Sequence, residues 1–336
     1  MKLEFPFNLY VGATTAAFLT TLATIPFWRW FAARVGLVDD PGTRKIHSTP
    51  IPLAGGWGVL AGLALPVAIG AAAALLGFLP LPDAGSAKEL LRYGVSRRGG
   101  QLAVILAGAF GMVMVGSLDD KYELRPALKF GGQLLIALLV AISGVRITLF
   151  VPSLLFSYAV TALWILTITN ALNFLDNMNG LCAGIGLIGA WACGWSAALQ
   201  GQYLVAALAF MTAGALLGFL PYNFPKATIF LGDAGSHLVG YLLAVLAILP
   251  HFYTRQHPSA WAVLSPLVIL AVPLLDMLWV VILRWRIGQP FYVGDNNHIS
   301  HRLVRRGFSK AQAVTIVWLL AAISAAAALL AFSPRW

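Results

Sequence analysis

Residues 55–80 read GGWGVLAGLALPVAIGAAAALLGFLP, twenty-six positions without one charged side chain. As an α-helix this run would measure about 39 Å, at 1.5 Å rise per residue. That exceeds the roughly 30 Å hydrocarbon core of a bilayer, which asks for about 20 apolar residues. Similar runs recur between charged and Pro/Gly-rich segments, and they predict further spans near 8–33, 101–118, 127–144, 153–172, 180–199, 203–221, 235–250, 261–283 and 312–332. With 55–80 the expectation is an all-α polytopic membrane protein of about ten transmembrane helices. Residues 1–336 then form one transmembrane domain, with no internal repeat and no soluble domain left over.

Composition agrees. Hydrophobic residues make up 60% of the chain and charged residues 10%, against roughly 25% charged in ordinary soluble domains. The mean hydropathy is +0.83. Such a chain can cover its surface in lipid but not in water. The net charge of +10 does not point to nucleic acid, because cations between spans follow from the positive-inside bias. Cys182 and Cys193 lie in apolar sequence without metal-ligand spacing, and read as packing residues. The N-terminal run has no small-residue cleavage site and reads as an uncleaved first span.

Ten spans divide the connections into two sets. The segments 34–54, 119–126, 173–179, 222–234 and 284–311, with Lys129, hold thirteen Lys and Arg, against eight in the other set. The first set is therefore placed in the cytoplasm. Lys88, Arg92, Arg97 and Arg98 fall on the far side, where an amphipathic helix lying at the interface would accommodate them.

Most of the twelve acids collect on the inferred cytoplasmic side. Ionisable groups near membrane depth are costly and tend to be functional, which singles out Asp119, Asp120, Asp176, Asp233 and Asp276. Asp119 and Asp120 end the third span, where a solvated helix end competes with metal or phosphate handling; Lys129 and Gln133 follow at the start of the next span. Asn170, Asn173 and Asp176 are three apart, and Asn177 lies four beyond Asn173, so one helical face would carry all four. Polar contacts between spans are the alternative for them. Asp233 sits in Phe230-Leu-Gly-Asp-Ala-Gly-Ser236 at the start of a span, where it could equally cap the helix. His298, His301 and Arg302 have one-turn spacing. With no His-Glu-x-x-His pattern, anion binding fits them better than zinc. Arg44, Lys45 and His47, taken alone, read as a cationic topology anchor.

Taken in order, five segments carry a resemblance over nearly the whole chain: Arg44-Lys-Ile-His47 through Gly56, Leu118-Asp-Asp120, Asn170 to Leu181, Phe230 to Ser236, and His298-Ile-Ser-His-Arg302. Together they resemble the polyprenyl-phosphate N-acetylhexosamine-1-phosphate transferases of glycosyltransferase family 4. The resemblance implies a bacterial inner-membrane enzyme whose active site is a cytoplasmic-side cleft. It implies transfer of a sugar-1-phosphate, GlcNAc-1-phosphate first, from a UDP-sugar donor to undecaprenyl phosphate. UMP is released, and lipid-linked cell-envelope glycan synthesis begins. Another UDP-N-acetylhexosamine or UDP-MurNAc-pentapeptide is the alternative donor, although the peptidoglycan members typically carry three consecutive histidines where this chain has His-Ile-Ser-His.

The resemblance also implies Mg²⁺, with Mn²⁺ as the alternative ion, held by Asp233 and Asn173 with Asp119 and Asp120 as further candidates. Asp119 and Asp120 would sit near the attacking lipid phosphate. His298, His301 and Arg302 would bind diphosphate oxygens, and Lys129 would place the lipid phosphate. Asp176 and Asn223 would join the nucleotide or metal shell. Arg44, Lys45, His47 and Asn179 count among the substrate-binding candidates. One departure stands out: bacterial members usually show Asp-Gly-x-Asp-Gly where this chain has Asp176-Asn177-Met178-Asn179-Gly180. A homodimer is compatible with the resemblance, and nucleic acid is not a partner. A multispan transporter, the rival class, calls for repeated halves that the sequence lacks.

Overall fold

The computed structural model describes residues 4–40, 49–78, 85–149, 151–250, 260–290 and 296–332. Helices dominate: α1 (Phe7–Arg34), α2 (Gly55–Leu76), α3 (Gly85–Tyr122), α4 (Pro126–Ile142), α5 (Leu154–Leu175), α6 (Leu181–Leu199), α7 (Tyr203–Asn223), α8 (Gly232–Ile248), α9 (Ser265–Ile269), α10 (Ala271–Arg286), α11 (Ile299–Arg305) and α12 (Lys310–Phe332). The expected all-α polytopic architecture is what the chain adopts.

The ten expected spans do not translate into ten equal crossings. Among the described residues seven helices are long and apolar enough to cross a bilayer: α1, α2, α3, α5, α6, α7 and α12. A bent pair adds a broken span or a re-entrant loop, in which Ala262–Ile269 meets Ala271–Arg286 at 67°. The break falls at Leu270, between Pro266 at the start of α9 and Pro273 in the first turn of α10, and each proline withholds an N–H from a continuous helix. Helices α4 and α8 have 17 residues each, about 25 Å, short of a 30 Å core. A short helix is tolerable at α8 because it meets protein on all sides: fifteen of its seventeen residues are buried. Around it pack α2, α3, α5 and α6.

Within the segment 81–100, where an interfacial helix is expected, residues 85–100 instead open α3, which runs unbroken for 38 residues, about 57 Å. Gly99 and Gly100 do not break it, because residues 85–122 contain no proline to remove a backbone donor. Close packing fixes α3 against α8. A Cβ on Gly116 would stand 2.4 Å from the backbone of Ala234, so only glycine lets the two helices approach this far.

Two short strands, β1 (Val38–Asp39) and β2 (Ile51–Pro52), pair antiparallel. The chain beyond β2 zips onto the start of α8. Phe230 N–H donates to Pro52 O (2.9 Å), Gly55 N–H to Phe230 O (2.9 Å) and Gly56 N–H to Leu231 O (3.2 Å). The Ile-Pro-Leu-Ala-Gly-Gly stretch, residues 51–56, is thus a backbone brace for the segment that carries Asp233.

Candidate active site

Asp119 and Asp120 lie in the last turn of α3 and point to different partners. Asp119 Oδ2 is 2.6 Å from Lys129 Nζ, and its Oδ1 accepts the Leu124 N–H at 2.9 Å. Asp120 turns toward α8, where Oδ1 accepts the Asp233 N–H (2.8 Å) and Oδ2 the Ala234 N–H (3.1 Å). The first amides of a helix lack internal partners and favour an anion. The capping role weighed for Asp233 therefore belongs to Asp120, supplied from another helix. Gly232, at φ +72°, makes the turn; a Cβ there would stand 2.7 Å from Asp120 Oδ2.

Relieved of capping, the Asp233 side chain faces the site. Its Oδ2 lies 2.7 Å from Lys129 Nζ, and its Oδ1 accepts from Asn173 Nδ2 at 2.8 Å. Asn173 Nδ2 also donates to Ser236 Oγ (2.9 Å), while Asn173 Oδ1 accepts from Lys129 Nζ (3.3 Å). Three oxygens from α3, α5 and α8 thus converge on one ammonium from α4. One helical turn deeper lies a buried amide network. Asn170 Nδ2 donates to Gln133 Oε1 (2.7 Å), and Gln133 Nε2 lies 3.2 Å from His237 Nε2.

Asp176 does not continue the α5 face. The helix ends at Leu175, so Asp176 and Asn177 leave the row that Asn170 and Asn173 keep. Burial, then the Asp233 and Asp120 carboxylates, push the Asp176 pKa well above the usual carboxylate range. Asn177 Oδ1 accepts from Ser300 Oγ at 2.7 Å. Asn179 Nδ2 donates to Pro225 O at 3.2 Å. Asn223 is committed to backbone, accepting the Gly180 N–H (2.6 Å) and donating to Ile229 O (2.9 Å). These three amides tie the α5–α6 turn to the segments leading into α8 and α11.

The expected shared face of His298, His301 and Arg302 is only partly formed, because His298 precedes α11 instead of opening its first turn. His298 is buried, with Nδ1 2.7 Å from Asp276 Oδ2. The Arg302 guanidinium lies 4.9 Å from the centre of the Trp279 ring on α10. Burial, followed by His298, Arg305 and Lys310, lowers the His301 pKa and favours its neutral ring. Arg44, Lys45 and His47 lie outside the described residues.

The sequence reading missed His237, Ser300 and Arg284. His237 carried a signal, an ionisable residue one turn beyond Asp233 in an apolar span. Arg284 looked like a topology cation, yet it is 2% exposed, with its guanidinium 5.0 Å from the Phe174 ring centre.

Phe174 borders a cavity of about 210 Å³ lined by Asp119, Leu124, Pro126, Lys129, Phe130, Asn170, Asn173 and Phe174. One wall is charged and amide-bearing, the other apolar. The volume is below the roughly 300 Å³ at which sites for whole drug-sized ligands begin, so it suits the reacting end of a larger molecule. A second, mostly apolar cavity of about 490 Å³ lies among Val67, Leu102, Tyr203 and Ile248, away from this chemistry.

Four carboxylates, of Asp119, Asp120, Asp176 and Asp233, share this neighbourhood with the Lys129 ammonium. If all ionise, three negative charges remain, and a cation relieves them. The oxygens around Lys129 Nζ are the hard donors Mg²⁺ takes, one or two carboxylates with phosphate and water completing the shell. Among the described residues no three His, Cys, Asp or Glu side chains are grouped to hold a metal on their own. The donor set therefore fits Mg²⁺ with substrate oxygens as co-ligands.

The fold and site define a polytopic membrane protein in which four carboxylates and a lysine collect at one end of its helices. Residues 102–251 match the model of glycosyl transferase family 4. The chain is 33% identical over 318 residues to the probable undecaprenyl-phosphate N-acetylglucosaminyl 1-phosphate transferase of Bacillus subtilis, covering 92% of this chain and 81% of that one. It is 35% identical over 360 residues to the decaprenyl-phosphate N-acetylglucosaminephosphotransferase of Mycobacterium tuberculosis (98% and 84%). It is 28% identical over 339 residues to the undecaprenyl-phosphate alpha-N-acetylglucosaminyl 1-phosphate transferase of Escherichia coli K12 (95% and 84%). The chain belongs to glycosyl transferase family 4, and it is a multi-pass membrane transferase.

Proposed function

We propose that this protein transfers GlcNAc-1-phosphate from UDP-GlcNAc to a polyprenyl phosphate, undecaprenyl phosphate in the first instance, and releases UMP. The site would face the cytoplasm of a bacterial inner membrane. One observation carries the reading: Asp119 Oδ2, Asp233 Oδ2 and Asn173 Oδ1 converge on Lys129 Nζ beside a cavity whose other wall is Leu124, Pro126, Phe130 and Phe174. A phosphate carried on a hydrocarbon chain matches both walls.

The acceptor phosphate, a monoester with a second pKa near 6, is mostly dianionic at neutral pH and needs no strong base. Its oxygen forms a bond to the β-phosphorus of the UDP-sugar while the bridging P–O bond breaks, and the electron pair leaves with UMP. Lys129, drawn between Asp119 and Asp233, would steer the acceptor phosphate. Asp120 holds the start of α8 so that Asp233 stays in place. His301 and Arg302, from α11, would meet the donor diphosphate. Asp233 and Asn173, with Asp119, would hold Mg²⁺, which neutralises phosphate charge and stabilises the leaving group when bound.

Purified protein, undecaprenyl phosphate, Mg²⁺ and a panel of UDP-sugars test the proposal through UMP release. Release with UDP-GlcNAc that requires lipid and metal, and falls to background in Asp233→Asn, is the expected result. Release with another UDP-N-acetylhexosamine alone would replace the donor. No release with any of them would overturn the reading.

A further inference from the structure

Asp276 has no part in the chemistry above, yet it is a buried carboxylate inside a membrane helix. Such a group is retained only with partners. Both of its oxygens are engaged: Oδ2 lies 2.7 Å from His298 Nδ1, and Oδ1 accepts the Ile299 N–H at 2.7 Å. The side chains of His298 and Asp276 are 4% and 3% exposed. A carboxylate that accepts at both oxygens requires the proton of the imidazole on Nδ1. The second nitrogen, Nε2, then points away from Asp276. The His298 ring stands 6.4 Å from Phe174, a lining residue of the reaction cavity, and 6.3 Å from His301. Two guanidinium groups stand near these rings: Arg284 lies over Phe174 and Arg302 over Trp279.

We propose that Asp276 is a positioning residue that acts through His298, fixing the Nδ1–H inward and serving as the buried counter-charge that lets Nε2 hold a second proton toward a phosphate oxygen of the UDP-sugar. The inference rests on the transferase reading. The proton comes from solvent, and the only bond made is N–H. Asparagine does not reproduce the carboxylate, because with its carbonyl oxygen accepting from Ile299 its NH₂ donates to Nδ1 and so selects the other tautomer of His298. An acid that sets the tautomer of a histidine in this way also operates in serine-protease triads.

The test uses the full chain in detergent with ¹⁵N-labelled histidine. There are six histidines, and His298→Gln assigns the signal. Saturating UDP and Mg²⁺ should convert His298 to the doubly protonated ring in the wild type but not in Asp276→Asn. In turnover, Asp276→Asn should lower kcat by roughly 10² with a smaller change in KM for UDP-GlcNAc, and Asp276→Glu should recover part of it. The double variant with His298→Gln should be no slower than His298→Gln alone. If UDP binds and His298 stays singly protonated, or if the two losses multiply, Asp276 is a structural anchor and the inference is overturned. If the wild type neither binds UDP nor releases UMP, the transferase reading itself has failed and this inference falls with it.

Discussion

Lys129 Nζ stands within 2.7 Å of two carboxylates, and removing it would leave both without their nearest cation. Lys129→Met should destabilise the metal-free protein by about 3 kcal/mol, at the low end because the Asp233 side chain keeps 34% of its exposure. Thermal unfolding in detergent would show this. Mg²⁺ should then raise the midpoint of the variant more than that of the wild type. Asp176 calls for the opposite change. Its folded pKa is raised above the unfolded value of about 3.9, so its contribution to stability is full below that value and is lost as pH rises to the folded one. Metal-free Asp176→Asn should therefore gain stability over the wild type as pH rises, and the gain should vanish in acid; a pH series of unfolding midpoints checks it. At this scale the sequence exposed most of the chemistry, since charged and amide side chains are conspicuous in apolar helices. It did not expose partnership. Asp120 and Asp119 are neighbours in sequence but serve different helices, and the donors that hold Asp120 lie 113 and 114 residues away.

Among elements, the junction of α3 and α8 bears most on function, because it sets where Asp120 meets the first amides of α8. Gly116→Ala would press a methyl group into the Ala234 backbone, which cannot rotate aside. The expected cost is about 1–3 kcal/mol, read as a lower unfolding midpoint, together with a fall in kcat as Asp233 shifts. Apolar runs made the helices legible, and α2, α6 and α7 sit close to their expected limits. Where hydropathy misled, the reason was a backbone property that it does not measure. Polar sequence from 85 to 100 is still helical, apolar sequence from 261 to 283 is broken at Leu270, and α5 stops before Asp176. The amide ties of Asn177 and Asn179 give these residues structural work in this chain. An aspartate at 179 would face the Pro225 carbonyl without a proton to donate, so Asn179→Asp should loosen that contact and lower thermal stability.

For the whole molecule, charge bias gives an expected sidedness that labelling tests. Cys182 and Cys193 are buried, so cysteines introduced at exposed positions report on sidedness. Glu123→Cys and Arg306→Cys should react with an impermeant maleimide only from the cytoplasmic side, and Arg97→Cys only from the other. The reverse pattern would invert the topology. The order of the motifs made the family legible before any helix was placed. The meeting of α3, α5 and α8 at the Lys129 ammonium of α4 was not legible, because it depends on how the helices pack around a buried α8.

The most direct test of the transfer follows the phosphorus. Wild-type protein is supplied with UDP-GlcNAc labelled with ³²P at the β position, with undecaprenyl phosphate and Mg²⁺. The label should move into the organic-extractable lipid while unlabelled UMP appears in equal amount. Label left in aqueous UDP beside a glycosylated lipid would mean that the sugar moves without its phosphate, and would contradict the proposed reaction.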